Sequence, residues 1–205
     1  MARRTKEEAA ATRDSILDAA EQLFVEQGVS RTTLQHIATA AGVTRGAIYW
    51  HFDDKGALFN AMMERATLPF ECAFSVLECS GGADPLRDMR TFILEIFRVT
   101  EQNPQARRVF EIATLKVEFV DELDAVRVRR SQSQKEWMAR VESLLTLARE
   151  KGQIHGAVPT HVIALGLWSM MDGLLRNWMF EPESFGLLDT GAQILDTLLR
   201  GLRVP

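Results

Sequence analysis

Cysteine is scarce in this chain. Cys72 and Cys79 are its only two among 205 residues, too few for a disulfide framework. They stand seven apart on a predicted helix, so they share a face without being committed to a bond; a redox-sensing pair is the alternative reading. Tyrosine occurs once, the six prolines sit mostly at segment edges, and the β-branched runs that strands need are missing. No uncharged apolar run reaches 18 residues. The longest, Val162 to Met171, is too short to span a membrane. The Arg-rich start lacks the pattern of a signal peptide, so a reducing cytoplasm is the expected location. Neither GxxxxGK nor a paired-His zinc spacing occurs, and no Ser-His-Asp or Cys-His grouping can be assembled. An enzyme, a bound cofactor and a metal site are therefore not expected. Asp172, a carboxylate in an apolar segment, would be the starting point for the opposite view.

Charge of one sign is also lacking. The formal net charge is -4, which argues against bulk attraction to polyanions. Within residues 1–55, seven Lys and Arg stand against eight Asp and Glu. What the chain does have is a 46% apolar fraction, normal for a packed core, arranged with helical periodicity.

The front quarter carries the sharpest pattern. Ile16, Leu17, Ala20, Leu23 and Phe24 form one stripe of a helix from about Ala10 to Gln27. Gly28 stands where a left-handed C-terminal cap is expected. Thr33 caps a second helix, with Leu34, Ile37, Ala38 and Ala41 inward. Gly42 permits positive φ in the turn, and Val43 plugs the angle between the helices. Thr44 caps a third helix, whose Ile48 and Phe52 face the core. Residues 33–52 thus read as a helix-turn-helix, a unit that lays its second helix in a DNA major groove. The other face of that helix carries Arg45, Gly46, Ala47, Tyr49, Trp50 and His51. Arg45 can donate two hydrogen bonds to a guanine or grip a phosphate, and Tyr49 and His51 have donors for phosphate oxygens. The small Gly46 and Ala47 let the backbone approach base edges. The N–H groups near Thr33 and Leu34 favour a phosphate, and Lys55 adds a point charge at the start of the next helix. The alternative is an ordinary three-helix core with a polar rim.

The segments Thr32-Thr33-Leu34, Ile37-Ala38 and Ala41-Gly42-Val43-Thr44-Arg45-Gly46-Ala47-Ile48-Tyr49-Trp50-His51-Phe52, followed by Lys55, resemble the TetR family of transcriptional repressors. Met1 to Glu8 and Ala11-Thr12-Arg13 resemble its AcrR/TtgR-like subgroup, which represses multidrug efflux pumps. Fainter echoes run through Lys116-Val117-Glu118-Phe119, Asp172-Gly173-Leu174-Leu175, Trp178 and Pro182. The resemblance implies an all-α fold of about nine helices. A three-helix DNA-binding head over residues 1–55 would precede a helical ligand-binding and dimerisation body over residues 56–205. It also implies double-stranded operator DNA and a small-molecule effector as partners, with no membrane association.

Further helices are predicted from Asp54 to Glu78, Pro85 to Gln102, Asn103-Pro104 to about Phe119, Asp121 to Lys151, and over residues 160–180 and 187–203. The helix over 160–180 is apolar nearly all round, so it needs cover on two sides. Together with the stripe Leu188, Ile194, Leu195, Leu198, Leu199 and Leu202 it is expected to form a homodimer interface. A monomer with a thick core is the alternative. Phe70, Phe92, Ile96, Phe97, Phe110, Thr114, Val117, Trp137, Val141, Trp168, Met171 and Leu175 are bulky or soft side chains on helices able to surround a cavity. Asp172 joins them, and needs either Arg176 one turn on or a ligand donor as partner. The resemblance places the effector among these residues. Phe110 and Thr114 stand where relatives carry larger polar or imidazole side chains, which implies a drier pocket for hydrophobic or planar aromatic ligands.

Overall fold

The computed structural model describes residues 6–79, 83–118 and 123–203, with residues 69–79 described by their backbone alone. The helices are α1 (Lys6–Gln27), α2 (Leu34–Ala40), α3 (Arg45–His51), α4 (Lys55–Cys79), α5 (Pro85–Gln102), α6 (Pro104–Glu111), α7 (Asp124–Glu150), α8 (Thr160–Phe180) and α9 (Leu187–Leu202). A π-helical turn, Ile112–Lys116, follows α6. Among the described residues the one β-type pairing is an isolated bridge between Ile154 and Arg203. The expected all-α fold is thus the one observed, and no described helix is long and apolar enough to cross a membrane. Cys72, Cys79 and Phe70 fall where side chains are not described.

The chain divides into two compact units, and not simply after residue 55. The first combines residues 1–66 with 108–130, the second residues 67–107 with 131–205. In the first unit, Ile16, Leu17, Ala20 and Phe24 of α1 are fully buried with Ile37 and Ala38 of α2 and Ile48 of α3. Leu58, Phe59 and Met62 of α4 join them, as do Val109, Ile112, Leu123 and Val126. Three short helices cannot bury enough apolar surface alone, so the later segment completes the core. A continuous α-helix to Phe119, as the sequence suggests, does not form. The chain leaves helical geometry at Val117, and the Lys116 carbonyl accepts the Val29 N–H at 3.1 Å. Ser30 Oγ also donates to Glu118 at 2.9 Å.

A charged cluster ties α1 to α4 in this unit. Glu21 is almost completely buried and accepts a short hydrogen bond from Arg65, whose guanidinium also donates to Asp18 at 2.8 Å. Arg108 approaches the same carboxylate at 3.8 Å. Removing one partner of a buried pair strands the other charge. Arg65→Ala is therefore expected to destabilise the protein by about 3 kcal/mol, read as a lower urea midpoint. An unchanged midpoint would show that Arg108 can neutralise Glu21 by itself.

In the second unit, α5 is amphipathic and buries Leu86, Met89, Phe92, Ile93, Ile96, Phe97 and Thr100. It packs on α9, whose buried residues Leu187, Gly191, Leu195 and Leu199 recur every fourth position as a single ridge. That ridge leaves Ile194 and Leu198 exposed on α9. Helix α8, packed beside it, buries Ile163, Ala164, Leu167, Met171, Trp178 and Met179, while Val162, Leu165 and Phe180 remain exposed. One side of each helix thus serves the unit's own core, and each carries apolar side chains outside it.

Candidate functional site

The geometry of α2 and α3 follows from a few local hydrogen bonds. Thr33 has extended backbone geometry and its hydroxyl accepts the His36 N–H at 3.2 Å. His36 Nδ1 accepts the Thr33 N–H in return, closing a reciprocal cap with histidine in the place usually held by Glu or Gln. Helix α2 ends with Gly42 at φ +65°. The Gly42 N–H donates to the Thr39 carbonyl and the Val43 N–H to the Ala38 carbonyl, a Schellman closure that requires this left-handed residue. Thr44 then opens α3, its hydroxyl accepting the Ala47 N–H at 3.2 Å. Ile48 and Phe52 anchor α3 in the core, and the Arg13 guanidinium lies over the Phe52 ring at 5.3 Å.

With those anchors fixed, α3 turns its remaining side chains outward. Thr33, Thr44, Arg45 and Gly46 are exposed, Ala47 and His51 are half-buried, Tyr49 is 45% exposed and Trp50 72%. Arg45 lies along Tyr49, donating to its hydroxyl at 3.1 Å with the guanidinium 5.4 Å from the ring centre. Trp50 meets His51 edge to face at 4.5 Å. The result is a surface of aromatic faces, hydrogen-bond donors and one unburied cation. Helix α2 adds exposed His36, a residue of the DNA-binding head in the sequence as well, and exposed Gln35 and Thr39, which the motif does not single out. Their signal was present, since they are the positions of α2 that its apolar period leaves outside.

Lys55 does not present its charge as expected. It is only 4% exposed, and its ammonium donates to the carbonyls of Ser30 at 3.1 Å and Thr32 at 3.0 Å. Those carbonyls lie in the turn between α1 and α2, so Lys55 fixes the entry to α2. The positive end of the side chain is used inside the protein because unpaired carbonyls there would cost more than an exposed ammonium gains.

Gly46 has no packing reason to be glycine. An added Cβ would meet Thr44 Oγ1 at 3.9 Å, an ordinary contact. Gly46→Ala is thus expected to stabilise the fold by up to about 1 kcal/mol. If α3 lies against base edges, the same methyl group weakens DNA binding by about 1 kcal/mol or more per half-site. Paired urea-melt and DNA-binding titrations test both halves. A gain in stability with unchanged DNA affinity would place Gly46 away from the DNA.

Two family models cover most of the chain: the bacterial regulatory proteins of the tetR family match residues 16–62, and the C-terminal region of MAATS-type transcriptional repressors matches residues 84–204. The chain belongs to the TetR family. The helix-turn-helix described above falls inside the first match, and this TetR-family protein is a DNA-binding transcriptional repressor. It is 37% identical to the HTH-type transcriptional regulator TtgR of Pseudomonas putida, over all of this chain and 97% of that one. It is similar to the crystal structure of NalD, the secondary repressor of the MexAB-OprM multidrug efflux pump in Pseudomonas aeruginosa. The TM-score is 0.88, with 34% identity over 97% of this chain and 98% of NalD. The SmeT–triclosan complex is similar with a TM-score of 0.83 and 32% identity, over 95% of this chain and 92% of that one; SmeT is the repressor of the Stenotrophomonas maltophilia efflux pump SmeDEF.

The residues assigned from sequence to an effector pocket distribute between the two units. Phe110, Thr114 and Val117 are half-buried in the first. In the second, Phe92, Ile96, Phe97, Val141 and Met171 are buried, and Trp168, Asp172 and Leu175 are half-buried. Trp137 on α7 meets Trp168 on α8 edge to face, with ring centres 5.2 Å apart. Trp137 is nine-tenths buried, yet its indole N–H has no hydrogen-bond acceptor among the described residues. Val141 is one turn beyond Trp137 on α7, and Met171, Asp172 and Leu175 continue the Trp168 face of α8 at helical spacing. Phe97 has another task, since its ring lies against Gly191 of α9.

Proposed function

We propose that this protein is a homodimeric repressor of a multidrug efflux operon, released from its operator by a hydrophobic or planar aromatic compound. The observation that carries the reading is the outward face of α3, with Arg45, Tyr49 and Trp50 free to reach a major groove. Thr33 and Thr44, through their hydroxyl protons, and His51 hold flanking phosphates, while Gly46 and Ala47 permit close approach. Lys55 supports the turn before α2. A two-fold pair is required to read two half-sites about 34 Å apart. Exposed Val162, Leu165 and Phe180 on α8 and Ile194 and Leu198 on α9 support that pairing. The similarity to NalD, SmeT and TtgR supports an efflux operon as target.

The effector reading rests on the Trp137–Trp168 wall. Two indoles inclined at 64° offer faces and edges to a flat aromatic ring. The buried Trp137 N–H lacks an acceptor among the described residues, and an unmet buried donor costs about 1–3 kcal/mol. A ligand bearing an acceptor recovers that energy. Phe92, Ile96, Val141, Met171 and Leu175 supply apolar contact and Asp172 a polar one. Phe110, Thr114 and Val117 belong to the first unit and are not part of this wall.

Release needs only a difference in effector affinity between the operator-bound and free forms. A 100-fold loss of DNA affinity corresponds to about 2.7 kcal/mol of coupling, and the same factor must weaken effector binding when operator is present. Tryptophan emission can follow a titration with triclosan, then with a planar aromatic dye, in the absence and presence of operator DNA. The expected result is quenching with an affinity that operator weakens by the factor measured for release. Equal effector affinity with and without DNA would refute the scheme.

A further inference from the structure

A groove of about 540 Å³ opens in the second unit between the N-terminal turn of α5 and the C-terminal half of α9. It is remote in character from the aromatic wall described above, because four arginines line it: Arg87, Arg90, Arg200 and Arg203. Among the described residues that line it, only two, Asp84 and Asp196, carry carboxylates. In a chain whose net charge is -4, this is a local reversal of sign.

Both carboxylates are already committed. Asp84 caps α5, accepting the Arg87 N–H at 3.1 Å and the Gln153 amide at 3.0 Å. Asp196 takes a two-pronged pair from Arg90, at 2.6 and 3.0 Å. That pairing holds the Asp196 carboxyl below its ordinary pKa, with Arg200 and Arg203 adding to the effect. Arg200 is turned to its own helix, donating to the Asp196 carbonyl and the Thr197 hydroxyl at 3.2 Å each. Neither Arg87 nor Arg203 donates a side-chain hydrogen bond to any described residue, and both are exposed. Among the described lining residues two positive charges therefore stand in excess, on guanidiniums whose planar forks match carboxylate and phosphate oxygens. Beneath them, Leu86 and Leu199 make an apolar floor. The volume exceeds what an inorganic anion fills, given that a water's share of liquid is about 30 Å³.

We propose that this groove binds a small organic anion, with a phosphate or carboxylate group held between Arg87 and Arg203 and an apolar portion seated on Leu86 and Leu199. It is a second ligand site, independent of the effector reading, and its ligand is anionic where the aromatic wall suits a neutral or cationic one. The groove takes its α9 wall from Gln193, Asp196, Thr197 and Arg200, adjacent on the helix to exposed Ile194 and Leu198.

Calorimetric titration of the full-length protein with phenyl phosphate, and separately with inorganic phosphate, tests the site at fixed ionic strength. Phenyl phosphate is expected to bind at least about tenfold more tightly than inorganic phosphate, a difference of about 1.4 kcal/mol. The double variant Arg87→Gln/Arg203→Gln is expected to lose at least about tenfold in phenyl phosphate affinity while keeping its melting temperature, since neither side chain holds the fold together. A variant that binds as well as the parent, or a parent that binds neither compound at millimolar concentration, would overturn the proposal. Equal affinity for the two compounds would overturn the organic class of the ligand.

Discussion

Arg45→Ala is expected to lower operator affinity by about thirtyfold to twenty-thousandfold without loss of stability. A two-pronged arginine contact to a base discriminates by about 1–3 kcal/mol, and a dimer makes the contact twice, so the two half-sites together lose about 2–6 kcal/mol. Nothing comparable is lost in folding. Arg45 is exposed, and its contacts within the described structure are with Tyr49, one turn along the same helix. A pair of that kind stabilises an isolated helix by about 0.2–0.5 kcal/mol. Salt dependence separates base recognition from phosphate binding. If Arg45 reads a base, the variant's loss varies with operator sequence. If it neutralises a phosphate, the loss is uniform across sequences and the slope of log affinity against log salt falls by about one per half-site. Trp50 provides an internal monitor, because its exposed indole changes emission when DNA covers it. Retained affinity in Arg45→Ala would mean that α3 does not enter the groove by this face.

Gly191→Ala is expected to destabilise the protein by about 3 kcal/mol, at the upper end of what overpacking costs. A Cβ at residue 191 would lie 2.5 Å from both Cδ2 and Cε2 of Phe97. Real carbon atoms cannot share that space, and the Phe97 ring is fully buried, so relief requires α9 to move away from α5. This close approach lies on the ridge Leu187, Gly191, Leu195 and Leu199 that joins the two helices. A lowered urea midpoint with an unchanged slope would match simple destabilisation. Phe97→Leu in the Gly191→Ala background should restore part of the loss, because the smaller side chain makes room. Equal stability of parent and Gly191→Ala would show that α5 and α9 are not packed as described.

The head was legible because its signals are local. Thr33, Gly42 and Thr44 each act within a few residues, through caps and a left-handed turn, and their hydrogen bonds appear where the sequence indicates. The apolar stripe of α1 and the inward pair Ile48 and Phe52 are likewise properties of one helix. Lys55 misled because its role is set by partners 23 and 25 residues away, the carbonyls of Thr32 and Ser30. A lysine at the start of a helix beside a DNA-binding motif looks like a phosphate contact until those carbonyls are known. The recruitment of residues 108–130 to the first unit was equally hidden. Val109, Ile112, Leu123 and Val126 show helical spacing, but periodicity does not say which core a helix serves. The π-helical turn leaves no mark in the apolar pattern. It becomes intelligible only once the Lys116 carbonyl is seen against Val29.

The acidic balance of the front segment has a similar resolution. Asp14, Asp18 and Glu21 lie on the α1 side that faces Arg65, and Glu21 is buried there. These acids are engaged with α4, and the exposed face of α3 carries Arg45 with no carboxylate of its own. Net charge over a segment is a poor guide when the charges are sorted by face.

On the function proposed above, a small hydrophobic ligand removes this repressor from its DNA. Fluorescence anisotropy with labelled DNA from upstream of the protein's own gene and its neighbouring gene tests it most directly, at about 0.15 M salt, with and without hydrophobic and planar aromatic compounds. Tight, sequence-specific binding that such compounds reverse is the predicted result. Absence of specific binding, or specific binding that none of them weakens, would contradict the account.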